Sequence, residues 1–114
     1  MKQARVSRSN PPTALCLNIG CGSSIGDRWL NIDSSCSLSL SRLPLVGRLL
    51  ARLLSLPMWP KAVVSGDIVK GLAILPNSCD LVFASHVLEH LAKEDCYRAL
   101  RNIYRCLRPG GYFR

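Results

Sequence analysis

Four short apolar runs, each ending in or followed directly by glycine, aspartate or serine, constrain the fold of this chain most. The runs are too short for helices and are typical of buried strands, and turn residues or helical patterns separate them. They cover residues 15–19, 29–33, 62–67 and 80–85. Strands that alternate with helices predict an α/β layer on a largely parallel sheet. Ligands bind at the carboxyl ends of the strands in such sheets, so the residues that end these runs are the first candidates for a site.

The segments between and after the runs have patterns of their own. Glu94–Arg108 is the clearest helix, and Pro109-Gly110-Gly111 predicts where it stops. Leu45–Leu56 is an amphipathic helix candidate, whereas the serine-rich residues 34–42 are predicted to be loop. Residues 112–114 are typical of the first residues of a fifth strand.

The composition describes one small globular domain. The chain has 114 residues, of which 48% are hydrophobic and 19% are charged. Residues 1–14 are basic and contain prolines, which predicts a flexible tail before a folded part over 15–114. The most apolar stretch, 43–60, is interrupted by arginines and prolines and does not suit a spanning helix. No signal-peptide pattern is present either, so we expect a cytoplasmic protein.

The six cysteines are expected to be free thiols. They form no C-x-x-C pair. Cys16, Cys79 and Cys106 lie in or beside apolar runs, where a reduced thiol acts as a small hydrophobe. Nothing in the sequence signals an oxidising compartment.

The chain is basic, with 15 Lys and Arg residues against 7 Asp and Glu residues. Arginines recur at three- and four-residue steps in the last helix, which predicts a solvated face. They are Arg98, Arg101, Arg105 and Arg108, opposite the apolar set Cys96, Leu100, Ile103 and Leu107. Aromatic interleaving and nucleic-acid motifs are missing, so no nucleic-acid partner is expected. The positive charge mildly favours an anionic partner.

The ends of the first three runs together predict a site for a nucleoside-bearing cofactor. Gly20-Cys21-Gly22 lets the backbone approach a ligand closely, because glycine lacks a Cβ. Asp33 is suited to accept the hydroxyl hydrogens of a ribose. Asp67 is suited to accept a hydrogen bond from an adenine amino group, with Ile68 packing against the ring. Each residue alone is equally typical of an ordinary turn, so the prediction rests on their order along the chain.

This ordered series resembles the class I S-adenosylmethionine-dependent methyltransferases, and most closely their type 11 branch. The matching segments are Leu17–Gly22 (LNIGCG), Asn31–Asp33 (NID), Gly66–Ile68 (GDI), Leu75–Val82 (LPNSCDLV), Ser85–Leu91 (SHVLEHL) and Leu107–Tyr112 (LRPGGY). The resemblance covers residues 15–113 and implies an α/β, Rossmann-like class I methyltransferase fold. It also implies an incomplete fold, with the first four strands, the start of the fifth, and an exposed apolar edge on the fourth strand.

The resemblance implies S-adenosyl-L-methionine as cofactor and methyl transfer to an unidentified acceptor, of small-molecule or glycan type. The cofactor-binding residues that it implies are Asn18, Gly20, Cys21, Gly22, Asp33, Asp67, Ile68, Ser85 and His86. Among them, the glycines pass beneath the methionine part, and His86 is the candidate proton acceptor. Two positions depart from the family pattern: Asn18 stands where many relatives have an acid, and Ser24 replaces a frequent third glycine.

Other interpretations remain open. His86-Val87-Leu88-Glu89-His90 matches the zinc-hydrolase pattern H-x-x-E-H, although a third ligand downstream is not evident. Gly20, Gly22 and Gly26 resemble a dinucleotide fingerprint, but Asp33 follows too soon for the acidic residue of that motif. A non-catalytic fragment or interaction remnant of a methyltransferase domain is a further alternative.

The insert over residues 34–60, which combines the serine-rich loop with the amphipathic helix, has three candidate roles. Its apolar side chains are suited to pack over the sheet. Alternatively, the helix caps a substrate pocket, or residues 43–60 lie on a membrane surface, with Arg48 and Arg52 opposite the leucines.

Overall fold

The computed structural model of the chain describes residues 14–22, 24–56 and 59–114. Within these residues, helices connect the second strand to the third and the fourth strand to the fifth, and irregular segments form the other two connections. The elements are β1 (Cys16–Ile19), β2 (Leu30–Asp33), α1 (Cys36–Ser41), α2 (Gly47–Leu53), β3 (Val63–Ser65), β4 (Cys79–Ala84), a 3-10 turn (Leu88–His90), α3 (Lys93–Cys106) and β5 (Leu107–Phe113). The flexible tail predicted over 1–14 falls outside the described residues except for its last position, and it stays a prediction.

The strands form one parallel sheet in the order β3-β2-β1-β4-β5. This confirms the α/β prediction. One row of paired residues crosses four strands: Val64, Ile32, Ile19 and Ala84. The strands therefore end almost level, and the residues that follow them along the chain line one edge of the sheet.

The main hydrophobic core lies between the sheet and α3. It joins Leu17, Ile19, Ile32 and Val82 of the sheet to Ala99, Ile103 and Cys106 of the helix. A smaller cluster on the other face consists of Cys21, Leu38 and Val63, with Trp59 packed against it. The cysteines at positions 16, 21, 79, 96 and 106 are free, as expected from the sequence, and the same expectation for Cys36 stays a prediction. No helix among the described residues is long and apolar enough to cross a membrane.

The prediction of loop over residues 34–42 is wrong, because α1 occupies most of it. Leu38 is completely buried there and packs into the smaller cluster. The burial of this leucine outweighs the low helix propensity of the serines around it. The Ser41 hydroxyl donates a hydrogen bond to the Leu38 carbonyl, at 2.8 Å, inside the same helix. The helix predicted over Leu45–Leu56 is present but shorter, since α2 begins at Gly47 and ends at Leu53.

The end of the chain also differs from the prediction. The last helix stops at Cys106, and β5 starts at once, so Pro109-Gly110-Gly111 lies inside the strand. The β4–β5 register shifts between Cys79 and Leu81, and such an irregularity accommodates a proline that has no N–H to donate. The expectation of an exposed β4 edge is therefore wrong. β5 pairs along β4, and the Arg114 amide continues the ladder to the Val82 carbonyl at 2.9 Å.

All four arginines of the predicted solvated face are exposed. Arg105 also donates a hydrogen bond to the Leu72 carbonyl at 3.0 Å. Arg108 belongs to β5 and forms an ion pair with Asp80. The buried face of α3 is also rotated from the predicted one, because Ala99, Ile103 and Cys106 face the core while Leu100 is exposed.

Candidate functional site

The glycine turn after β1 lies at the centre of the level edge. Gly20 has a φ of +64°, and a Cβ built on it would overlap Cγ2 of Val87. The amides of Gly20 and Cys21 both donate to the Ile32 carbonyl, at 2.8 and 3.3 Å. The turn is thus bent back over the end of β2, in a shape that only glycine fits at this position.

Gly22 combines a left-handed backbone with open space. Its φ is +55°, and among the described residues other than its chain neighbours, no atom lies within 4 Å of where its Cβ would be. Its amide donates to Oδ2 of Asp33 at 2.9 Å. The structure therefore brings Gly22 and Asp33 together, as the sequence predicted for two residues of one site. The open space beside Gly22 allows a ligand to approach the backbone.

The Asp33 carboxylate is almost fully buried and already has several donors. Its Oδ1 accepts hydrogen bonds from the Ser35 amide at 2.9 Å and from the Ser35 hydroxyl at 2.5 Å. With the Gly22 amide on Oδ2, three of the roughly four lone pairs of a carboxylate are used. The remaining acceptor position on Oδ2 suits one ribose hydroxyl. Sequence reasoning missed Ser35, although a serine two residues after an aspartate is a common turn signal.

Asp67 and Ile68 have different environments. The Gly66 amide donates to the Asp33 carbonyl at 3.0 Å, which brings the end of β3 against the end of β2. Oδ1 of Asp67 accepts a hydrogen bond from the Val69 amide at 2.9 Å, and its other oxygen remains suited to an amino group. The Ile68 side chain, however, is buried in the main core beneath α3. Its contact with an adenine ring stays a prediction.

Ser85 and His86 follow β4 directly and are exposed at the same edge of the sheet. His86 has a φ of +55°, and its side chain is 86% exposed. Its Nδ1 lies 3.0 Å from Oε1 of Glu89. The pKa of Glu89 is lowered. The larger cause is a hydrogen bond from the backbone amide of Glu89 itself, and the smaller cause is the hydrogen bond with His86. The described residues contain no group of three or more His, Cys, Asp or Glu side chains placed to hold a metal ion.

Asn18 lies on the sheet face opposite α3. Its Nδ2 donates to the Ser24 carbonyl at 2.9 Å and to Oδ1 of Asn31 at 3.1 Å. Asn31 is itself buried and bonds both the amide and the carbonyl of Gly26. The amide nitrogen of Asn18 thus supports the loop between β1 and β2, and its role as a cofactor contact stays a prediction. A cavity of about 460 Å³ lies beside it, lined also by Trp29 and Phe83.

Cys21 lies between the two glycines and faces inward. Burial, followed by the charge of Asp33, raises the pKa of its thiol. A protonated, buried thiol is a poor nucleophile, so Cys21 acts as a packing residue of the turn. It contributes to the smaller core cluster, against which Trp59 packs. Sequence reasoning missed Trp59 and Val87, because both reach the turn through space from distant parts of the chain.

Comparison with known proteins identifies a family whose sequence model this chain matches. The sequence model of the family described as "Methyltransferase domain" matches residues 17–114. No curated protein is significantly similar to the chain.

Solved methyltransferase structures share the fold. An S-adenosylmethionine-dependent methyltransferase from Mesorhizobium loti superposes with a TM-score of 0.54 at 25% identity, over 87% of this chain and 43% of that one. An arsenic(III) S-adenosylmethionine methyltransferase from Chlamydomonas reinhardtii gives 0.54 at 20% identity, over 88% and 37%. Phosphoethanolamine N-methyltransferase 2 from Haemonchus contortus, solved with S-adenosylhomocysteine, gives 0.52 at 22% identity, over 92% and 25%. The chain spans less than half of the length of each.

Proposed function

This chain belongs to the Methyltransferase domain family, and we propose that it binds S-adenosyl-L-methionine across the ends of β1, β2 and β3 and transfers the methyl group to an acceptor. The observation that carries the proposal is the contact between Gly22 and Asp33. Gly22 has a left-handed backbone conformation with open space beside it, and Asp33 is a buried carboxylate with one acceptor position left for a sugar hydroxyl.

The chain's own residues fit this cofactor. Asp33 holds a ribose hydroxyl at Oδ2, while the donors on Oδ1 fix the orientation of the carboxylate. Asp67, beside it, accepts a hydrogen bond from the adenine amino group. The open side of Gly22 takes the methionine part against the backbone.

S-adenosyl-L-methionine supplies a methyl group already activated by a sulfonium, so the work of the protein is mainly to position two reactants. His86 is exposed at the end of β4 with Nδ1 held by Glu89. When Nδ1 donates to that carboxylate, Nε2 is the proton-accepting nitrogen. We assign His86 the removal of a proton from an acceptor that needs it.

Calorimetric titration of the chain with S-adenosyl-L-methionine tests the proposal. We expect saturable binding that Asp33→Asn weakens about 10- to 100-fold, because a hydrogen bond to a charged group is lost. Asp95→Asn is the matched control, since Asp95 lies on α3 and forms only an exposed ion pair with Arg98. Circular dichroism reports whether each variant is folded. A folded chain that does not bind would favour the interaction-remnant alternative instead.

A further inference from the structure

The connection between β2 and β3 forms a cationic cavity that the proposed function does not use. Its volume is about 580 Å³. Arg42, Arg48, Arg52 and Lys61 line it together with Trp59. The Arg42 guanidinium is fixed in place by two hydrogen bonds. It donates to the Pro60 carbonyl at 2.5 Å and to the Val63 carbonyl at 3.2 Å.

No acidic side chain neutralises this charge from nearby in the sequence. Residues 34–66 contain four Arg and Lys residues and neither Asp nor Glu. Among the described residues, the ion pairs lie elsewhere, at Asp80, Glu89 and Asp95. Arg48 and Arg52 are one turn apart on α2 and both are exposed. The cavity is therefore suited to an anion, and a phosphoryl group matches several guanidinium groups especially well.

An exposed apolar stripe runs beside the arginines on the same helix. Gly47 and Ala51 are the buried residues of α2. Leu49 and Leu53, one turn apart, are 59% and 71% exposed. Leu45, just before the helix, is fully exposed and has a φ of +69°. Large apolar side chains that stand together in water indicate an interaction surface.

We propose that this cationic and apolar surface, residues 42–54 with Trp59 and Lys61, binds the surface of a membrane that contains anionic phospholipids. The lipid phosphate occupies the cavity between the arginines, and the exposed leucines enter the boundary of the acyl chains. Amphipathic helices with leucines beside a basic face bind membranes in this way, and anionic headgroups strengthen the binding.

Charge and polarity favour a phospholipid over the other occupants of such a surface. A nucleic acid or a soluble phosphate compound would neutralise the arginines but leave the leucines in water. A second copy of the chain would cover the leucines but bring two sets of unneutralised cations together. A phospholipid satisfies both parts of the surface at once.

The surface is adjacent to the candidate cofactor site. Trp59 lines the cavity. It also packs against the smaller core cluster, which contains Cys21, the residue between Gly20 and Gly22 in the glycine turn. If the proposed function holds, the methyl acceptor is a component carried at the membrane surface. This last step rests on the proposed function, whereas membrane binding itself does not require the cofactor.

Vesicle co-sedimentation without cofactor tests the proposal separately from the calorimetry. We expect the chain to sediment with vesicles of phosphatidylcholine mixed with phosphatidylserine, and much less with phosphatidylcholine alone. Arg48→Glu/Arg52→Glu is expected to reduce partitioning more than tenfold, as is Leu49→Asp/Leu53→Asp. The matched controls are Arg98→Glu/Arg101→Glu and Leu75→Asp/Tyr104→Asp, which introduce the same acidic residues at exposed arginine and apolar positions elsewhere and should bind like the unchanged chain.

Other results would overturn the proposal. Equal binding to both kinds of vesicle, or undiminished binding by the leucine variant, would exclude the combined phosphate and acyl contact. Inorganic phosphate is added to chain bound to vesicles. If it releases the chain at a concentration well below that at which salt screens charge, the result would indicate a soluble phosphate ligand. Self-association that Leu49→Asp/Leu53→Asp abolishes, in the absence of vesicle binding, would indicate a second copy. Circular dichroism of each variant separates these results from loss of folding.

Discussion

Gly20 is held in the left-handed region by a turn that has no space for a side chain. We expect Gly20→Ala to lower the free energy of unfolding by about 2–3 kcal/mol. Left-handed backbone costs an alanine about 1 kcal/mol, and overlap with Val87 adds about 1–2 kcal/mol. Urea denaturation of the variant and the unchanged chain measures the difference.

Gly22 supplies the control for this prediction, because it has a similar φ but open space around the missing Cβ. Gly22→Ala is expected to cost only about 1 kcal/mol. Introducing Val87→Ala together with Gly20→Ala should recover part of the lost stability in a double-mutant cycle. Equal losses at both glycines, without recovery, would contradict the steric role of Val87.

At this scale, sequence reasoning selected residues whose own chemistry suggests a role and did not select those that act through neighbours. Gly22 and Asp33 were predicted as parts of one site and are in contact. Ser35 was missed because it was assigned to a loop, although it donates twice to Asp33. Ile68 was predicted beside a ligand, and its side chain belongs to the core; its contact with an adenine ring stays a prediction.

Among the elements, strands were predicted better than helices. The first, second and fourth strands lie within one residue of the predicted runs, because short apolar runs bounded by turn residues have few other solutions. α1 was missed because its stability comes from burying Leu38, which no local pattern reveals. β5 was predicted too late because Pro109-Gly110-Gly111 usually ends an element, yet here an irregular strand accommodates it.

Asp80 joins three segments of the chain at the start of β4. Its Oδ2 accepts the Leu15 amide at 2.7 Å, just before β1, and its Oδ1 pairs with Arg108 of β5. We expect Asp80→Ala to lower the free energy of unfolding by about 2–4 kcal/mol, because a partly buried carboxylate loses charge-assisted hydrogen bonds to two neighbouring strands. Chemical denaturation followed by circular dichroism gives the value.

Asp95→Ala is the comparison for Asp80, since it removes the same group from an exposed ion pair with Arg98 on α3. Such a pair contributes little, and we expect a change below about 0.5 kcal/mol. Similar losses in the two variants would mean that Asp80 does not hold the starts of these strands together.

For the whole molecule, cysteine alkylation reports global unfolding. Cys79 and Cys106 are completely buried between α3 and the sheet. A hydrogen bond with Cys106, together with burial, raises the pKa of Cys79, so this thiol stays protonated near neutral pH. The same hydrogen bond lowers the pKa of Cys106 to about 7, but burial excludes the reagent from this side chain as well. We therefore expect neither thiol to react with iodoacetamide until the domain unfolds, whereas the partly exposed Cys96 reacts in the native state. Mass spectrometry of digested protein locates each modified residue.

Urea provides the internal check on this prediction. Alkylation of Cys79 and Cys106 should rise with the same midpoint as the loss of circular dichroism, while that of Cys96 changes little. If Cys79 or Cys106 reacted as fast as Cys96 without denaturant, the sheet and α3 would separate without global unfolding.

The strand order also governs how the chain can fold. β1 is the central strand, with β2 on one side and β4 on the other. The first pairing is local, but the second joins residues about 65 positions apart, as the Leu15–Asp80 bond illustrates. Closing so long a loop is slow, and until it closes one side of β1 remains an open edge that can pair with other chains. During synthesis, therefore, this edge of β1 stays unpaired until β4 has left the ribosome.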